Sequence, residues 1–291
     1  LGAEVHFLTK GKFKGLLEHN PHLAKIHHFD DTLSEIKSDL IAENYDYVVD
    51  LHKNLRSGQV KRWLKQKSGT FHKLNLNKWL YVNTKWNTLP KLHIVDRYFR
   101  AMAEVANDGL GLEYFISVED RVDLGIGPYV GIVLGATYYT KRIPEVKVRE
   151  MIQAIDGQVV LIGGPEERQL GDQIARDYEN VYNTAGDYKI AQSASIIENS
   201  VYLITSDTGM MHIAAALNKS IGTVWGNTVP AFGMGPYLAD HQDFEVENLS
   251  CRPCSKLGSK TCPRGHFKCM MDQDINAITQ IANMKLQEGS S

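Results

Sequence analysis

The sequence predicts an α/β protein of two domains, each built on a mainly parallel sheet with helices on both faces. Three observations carry that expectation. Short apolar runs alternate with helix-spaced segments along most of the chain, the pattern of parallel strands joined by crossover helices. The rhythm breaks between Leu110 and Pro128, where GLGLEY is followed by acidic residues and then GIGP. The stretch LITSDTGMMHIAAALNKSIGTVWG, Leu203 to Gly226, reads as a buried strand, a tight polar turn, a short helix and a second buried strand. At 291 residues the chain is near the limit of one hydrophobic core, which also favours two.

The first domain is placed at residues 1–124. VHFLT (5–9) reads as a strand, AKIHHFD (24–30) contains a weaker one, and LSEIKSDLIAE (33–43) has helical spacing. YVVDL (47–51) is a strand of β-branched and aromatic residues, LRSGQVKRWLKQ (55–66) a basic amphipathic helix, TFHKL (70–74) a further strand and HIVDRYFRAMAEV (93–105) a further helix. The boundary falls near 122–128, and the second domain occupies 125–291. There YVGIVLG (129–135), QVVLIGG (158–164), VYNTAG (181–186) and VYLITS (201–206) are strands. They alternate with helices over 144–155, where Pro144 suits the first helical position, over 166–178 and over about 187–198. DINAITQIANMKL (274–286) closes the chain as an amphipathic helix.

Composition narrows the function classes. Hydrophobic residues make up 43% and charged residues 23%, as in ordinary soluble proteins. A net charge of −2 argues against nucleic acid as a partner. No run of 18 apolar residues predicts a membrane span, no signal peptide is visible, and four cysteines do not make a disulfide-dense scaffold, so the cytoplasm is expected. The chain opens directly on a strand pattern without Met, as if something upstream were absent.

The candidate chemistry lies in four loops of the second domain. Asp207 follows a buried strand and suits a helix cap. Gly209 permits close approach of a ligand, and the N–H groups from Thr208 through Met211 suit a phosphate. A capped structural helix with a buried His212 is the plain alternative. Lys141 and Arg142, in GATYYTKRIP (135–144), open at the same sheet edge and suit a diphosphate, or form a solvated basic pair. In GGPEER (163–168), Glu166 or Glu167 suits ribose hydroxyls, or favours a helix start. Thr228, in GNTVPAFGMGPY (226–237), reaches the same crevice or belongs to a connecting loop. Neither GxGxxG nor GxxxxGK[ST] occurs at these loops, so an NAD dehydrogenase or P-loop ATPase is poorly supported.

DTGMMH followed by IAAAL and by GTVWGNT, P and GPY resembles the signature of the ADP-heptose:lipopolysaccharide heptosyltransferases, glycosyltransferase family 9. YDYVVDLHKNLRS (45–57) and TKRIPE (140–145) are similar to two further family segments, with Ile143 in place of a tryptophan, and CRPC…CPRGHFKCM (251–270) resembles a cysteine-bearing tail in one branch. The resemblance implies a GT-B fold, two Rossmann-like domains facing across a cleft. The C-terminal domain would hold an ADP-sugar and the N-terminal domain the lipopolysaccharide inner core. The implied reaction is inverting transfer of a heptose from ADP-heptose, without a required cofactor or a metal at the diphosphate, at the cytoplasmic side of the inner membrane with peripheral association. Residue by residue, Asp207, Lys141 and His212 match catalytic positions. Thr208, Gly209 and Met210 match the phosphate-binding turn and Glu166 the ribose site, and Met211 and Thr228 join them as candidate substrate-binding residues. Another nucleotide-sugar enzyme, or an impaired nucleotide-sugar binder, is the rival reading.

The family pattern also starts with a strand, a Gly-Asp loop and a helix that have no counterpart here. The first domain is therefore expected to lack its first strand and helix. The chain is expected to bind ADP-sugar with impaired transfer, an expectation that robust turnover by residues 1–291 would overturn. Asp50, Asp30 and Asp31 each have a routine capping or turn explanation and are not promoted to base. Anionic acceptors would favour Lys53, Arg56, Lys61, Arg62, His72, Lys73, Lys78 and Lys85, with Arg56 foremost because it follows a strand's carboxyl end. Cys251 and Cys254 have zinc-knuckle spacing, and Cys262 and Cys269 complete four thiols. A structural zinc, a disulfide and free thiols all remain open readings.

Overall fold

Parallel pairing dominates both halves of the chain. The computed structural model describes residues 2–102 and 105–289. It forms two units: Leu1–Leu74 with Leu92–Gly109, and Asn75–Lys91 with Leu110–Ser291. In the first, β1 (His6–Lys10) pairs in parallel with β2 (Lys25–Phe29), His6 opposite Lys25. The helix expected over 33–43 starts as a 3-10 turn, Leu33–Ile36, under a Thr32/Glu35 capping box, and becomes α1 (Lys37–Ala42). β3 (Tyr47–Asp50) is followed by α2 (Leu55–Leu64), capped by Asn54, which accepts from the Ser57 N–H at 2.9 Å. Phe29, Leu33, Ile36, Leu40 and Val60 make a small core beneath these elements.

The next strand falls earlier than the sequence suggests. β4 is Lys67–Thr70, parallel to β3 with Thr70 opposite Asp50, and TFHKL contributes only its first residue. Gly69 explains the choice. A Cβ there would lie 1.6 Å from the Ala101 carbonyl oxygen, so the strand passes against backbone that only glycine tolerates. α3 (Asn75–Thr84) is a helix the sequence reading lacked, and α4 (Ile94–Phe99) is shorter than the 93–105 run predicted. Ala103 and Glu104 of that run, Leu1, and Ser290 and Ser291 lie outside the described residues.

The second unit holds one six-stranded parallel sheet. Its elements in chain order are β5 (Tyr129–Val133), α5 (Glu145–Ala154), β6 (Gln158–Ile162), α6 (Arg168–Arg176), β7 (Val181–Asn183) and α7 (Ile190–Asn199). Then come β8 (Tyr202–Ser206), α8 (Gly209–Ala216), β9 (Ile221–Trp225), β10 (His241–Glu245), α9 (Lys268–Met271) and α10 (Ile275–Gly289). Pro144 is the N-cap of α5 and not its first helical residue. β10 is an edge strand whose HQDFE alternation is too polar to announce itself.

Side-chain alternation divides the core between the two sheet faces. Val130, Ile132, Val159, Leu161, Tyr202 and Ile204 pack with α5, α10 and the 267–270 segment. Val133, Val160, Ile162 and Leu203 pack with α7 and α8. All five residues of each of β5, β8 and β9 are buried, as a parallel sheet covered on both faces requires.

Candidate functional site

The strand order β10-β9-β8-β5-β6-β7 decides which loops meet. The chain builds outward from β5 through β6 to β7, then crosses back to β8 and builds outward the other way. The connections after β5 and β8 therefore diverge and leave a crevice at the carboxyl ends of these neighbouring strands, where open α/β sheets bind ligands. A 3-10 turn after β5, Tyr139–Lys141, delivers Lys141, and the end of β8 delivers Asp207. Lys141 Nζ lies 2.7 Å from Asp207 Oδ2, and the Thr228 hydroxyl, from the loop after β9, donates to the same oxygen at 2.9 Å. The two charged side chains are only 15% and 11% exposed, so water screens them weakly.

Asp207 is therefore not the helix cap its position suggested. Thr208 is the N-cap of α8. Its hydroxyl lies 3.2 Å from that of Thr205 and makes no capping bond. The first-turn amides of α8 are thus left without a side-chain cap at the positive end of the helix dipole. A Cβ added to Gly209 would meet nothing within 4 Å, so a ligand can approach the backbone there. Met210 and His212 are half-buried beside it. Met211 is fully buried, so its side chain packs beneath the turn and is not offered to a ligand, which the sequence reading did not anticipate.

The two glutamates after β6 divide their roles. Glu167 is buried, accepts from the Gly164 N–H at 3.0 Å, and fills the space a Cβ at Gly135 would need. Glu166 projects outward, with Arg142 Nη2 3.6 Å away, and keeps its carboxylate accessible. In the other unit Arg56 sits exposed in the first turn of α2. Three of the expected acceptor cations have other work. Lys61 pairs with Asp50 at 3.1 Å and donates to Thr70 Oγ1 at 2.8 Å. Lys78 is buried with Nζ 5.2 Å from the Phe232 ring centroid. Lys85 donates to the Cys251 and Pro253 carbonyls at 3.3 and 2.8 Å. Asp50 is equally committed. Burial pushes its carboxyl up, but N–H groups of Lys53 and His52 and the Lys61 ammonium outweigh burial and hold its pKa below the ordinary carboxylate value.

The sequence reading missed what holds the loops in place. Arg252 donates to the carbonyls of Gly226, Thr228 and Val246 at 2.6, 2.9 and 3.2 Å and pairs with Glu245 at 2.9 Å. Asn227 Nδ2 donates to Ser255 Oγ at 2.9 Å, and the Ser259 N–H donates to Thr140 Oγ1 at 2.8 Å. The cysteine-bearing loop thus braces both the segment that presents Thr228 and the one that presents Lys141. An arginine between two cysteines gives no local signal of such partners.

All four cysteines are free thiols. Burial, then the neighbouring thiols Cys251 and Cys262, raises Cys254, and burial raises Cys269 to about 12. Cys251 Sγ is 3.9 Å from His266 Nε2. Among the described residues, His6, His27 and Glu43 form the group whose ligand atoms all fall within 4.8 Å, a donor set a divalent ion can use. Here Tyr45 OH bridges the two imidazoles at 3.0 Å each and Lys25 pairs with Glu43. No helix among the described residues is long and apolar enough to cross a membrane.

The chain has known relatives. The description glycosyltransferase family 9 (heptosyltransferase) fits residues 34–264. Lipooligosaccharide heptosyltransferase 2 of Haemophilus influenzae is 31% identical over 126 residues, 40% of this chain and 36% of that protein. The matched region spans about a third of the length of the first curated relatives, 36% and 33%. A glycosyl transferase family 9 structure from Veillonella parvula superposes with a TM-score of 0.74 at 19% identity, covering 98% of this chain and 89% of that one. The Escherichia coli ADP-heptose LPS heptosyltransferase II structure gives 0.73 at 18% identity, covering 100% and 91%. These likenesses show the fold, two α/β Rossmann-like units with parallel sheets.

Proposed function

Because the chain belongs to glycosyltransferase family 9, we propose that it transfers a heptose from ADP-heptose to the inner core of lipopolysaccharide, with inversion at the anomeric carbon. The observation that carries this reading is the Lys141–Asp207–Thr228 cluster beside the uncapped start of α8. The acceptor hydroxyl oxygen forms a bond to the anomeric carbon as the bond from that carbon to the β-phosphate oxygen breaks, the electron pair of that bond leaves with ADP, and the hydroxyl proton passes to solvent water. Negative charge grows on the diphosphate. The Lys141 ammonium and the amides of Thr208, Gly209 and Met210 meet it, with Met211 packed beneath the turn, and they stabilise the transition state more than the ground state. Asp207, held by Thr228, keeps Lys141 in place until the diphosphate competes for it. His212 lies in the same turn. Glu166 takes the ribose hydroxyls, and Arg56 takes an anionic group of the acceptor. With two cationic elements at the diphosphate, transfer proceeds without a metal there. The functional division falls at 124/125, so that donor binding belongs to the β5–α10 series.

Two further assignments belong to this reading. Cys251, Cys254, Cys262 and Cys269 hold a structural zinc. Their residue type and the Cys251–Cys254 spacing support it, and binding would release thiol protons. Metal analysis of protein purified without added zinc checks this, and metal-free folded protein would refute it. The protein works at the cytoplasmic face of the inner membrane as a peripheral protein.

The deciding experiment is transfer to a defined heptose-deficient core acceptor, with ADP-heptose run against UDP-sugars. Transfer from ADP-heptose alone is expected, and robust turnover would overturn the impairment expected from the sequence. A preference for a UDP-sugar would reassign the donor, and ADP-heptose binding without turnover would make this an impaired binder.

A further inference from the structure

Helix α3 is built inside out. Its lysine, Lys78, is buried over the Phe232 ring, and Tyr81 meets the same ring edge-on at 6.1 Å. Two of its large apolar residues face solvent, while Leu80, Tyr81 and Val82 are half-buried. Leu76 and Trp79 are 69% and 52% exposed, and Trp86, just past the helix end, is 68% exposed. Leu76, Trp79 and Asn83 fall on one side of the helix by spacing. A helix on a water-facing surface turns the opposite way, apolar stripe in and charges out. Lys85 ties this segment to the cysteine-bearing loop through the Cys251 and Pro253 carbonyls, and that loop exposes Leu257.

Charge is sorted in the same two segments. The segment Asn75–Lys91 carries Lys78, Lys85 and Lys91 and no acidic residue. Residues 248–271 carry Arg252, Lys256, Lys260, Arg264 and Lys268, again with no acidic residue, although the whole chain has 34 acids and a net charge of −2. Lys91, Lys256, Lys260 and Arg264 are exposed.

We propose that this face, the outer side of α3 with the tip of the cysteine-bearing loop, docks on an anionic lipid bilayer. Trp79, Trp86 and Leu76 enter the interfacial layer, and Lys91, Lys256, Lys260 and Arg264 meet the headgroups. Tryptophan favours the membrane–water interface, and lysine and arginine gain energy near an anionic leaflet. A soluble anionic glycan would account for the lysines and leave the outward tryptophans unexplained. A second copy would bring like charges together. The proposal rests on the peripheral membrane association above and gives it a surface.

Co-sedimentation with vesicles of phosphatidylethanolamine and phosphatidylglycerol, and with phosphatidylcholine alone, tests it on the full chain. The expected result is salt-sensitive binding to the anionic vesicles only. The Trp79→Ser/Trp86→Ser pair should weaken that binding at least about tenfold, and Lys256→Gln/Lys260→Gln should reduce its salt dependence. ADP affinity and melting temperature should stay unchanged in both variants. Equal partition of wild type and the tryptophan pair, or no wild-type binding, would overturn the proposal. So would light scattering that reveals a dimer dissolved by the tryptophan substitutions, which would assign the face to a second copy. Wild-type protein that binds vesicles but not ADP would instead remove the donor reading and leave this surface standing.

Discussion

Lys141 and Asp207 illustrate how residue type and position divide the explanatory work. Each has an ordinary role available locally, a solvated base and a helix cap, and neither plays it. They form a 2.7 Å pair because β5 and β8 are neighbours in the sheet. Lys141→Ala removes a donor to a developing anion, which is worth roughly 3–4 kcal/mol, so turnover should fall about a hundredfold or more with the fold retained. Wild-type turnover in an ADP-heptose assay, with an unchanged circular dichroism spectrum, would remove Lys141 from the site. Arg252 should matter through position alone. Arg252→Met leaves three carbonyls and Glu245 without their donor and is expected to cost about 1–3 kcal/mol by chemical denaturation, with a weaker donor affinity. Arg252→Lys should recover part of the stability, since an ammonium can replace some of those bonds but not the planar fork.

At the scale of elements, strands were more legible than loops. β5, β6 and β8 announce themselves as apolar runs because both faces of their sheet are covered. β4 and β10 do not, since KSGT and HQDFE are chosen by where the partner strand lies. α3 went unread because its pattern is inverted, with lysine in and tryptophan out. The first unit also carries a measurable pH signature. Asp50 is held below its ordinary pKa in the folded state, so it adds stability above the unfolded carboxyl value of about 3.9 and loses it as pH falls through the lower folded value. Asp50→Asn should therefore lower stability near neutral pH and flatten the loss of stability on acidification. Denaturant titrations across that range measure it, and a parallel downward shift at every pH would contradict the linkage.

For the whole molecule, donor binding is a stability term. If ADP binds the native state alone, ligand at about 100 times its Kd should add about 2.7 kcal/mol, visible as a higher melting temperature. UDP at the same concentration should shift it less. An equal shift from both would mean that the diphosphate is recognised without the base. The sequence by itself determined the α/β class and most strands of the second unit, and singled out Lys141, Glu166, Asp207 and Thr228 as candidates, because periodicity, glycine-rich turns and residue chemistry are local properties. Only the tertiary structure decided which of these meet. It committed Asp207 to Lys141 and Thr228 and left the α8 amides uncapped. It gave Lys61, Lys78 and Lys85 partners within the chain. It also placed Arg252 behind the site. Such pairings depend on strand order and on backbone carbonyls brought together from distant parts of the chain, and residue spacing along the sequence carries no record of them.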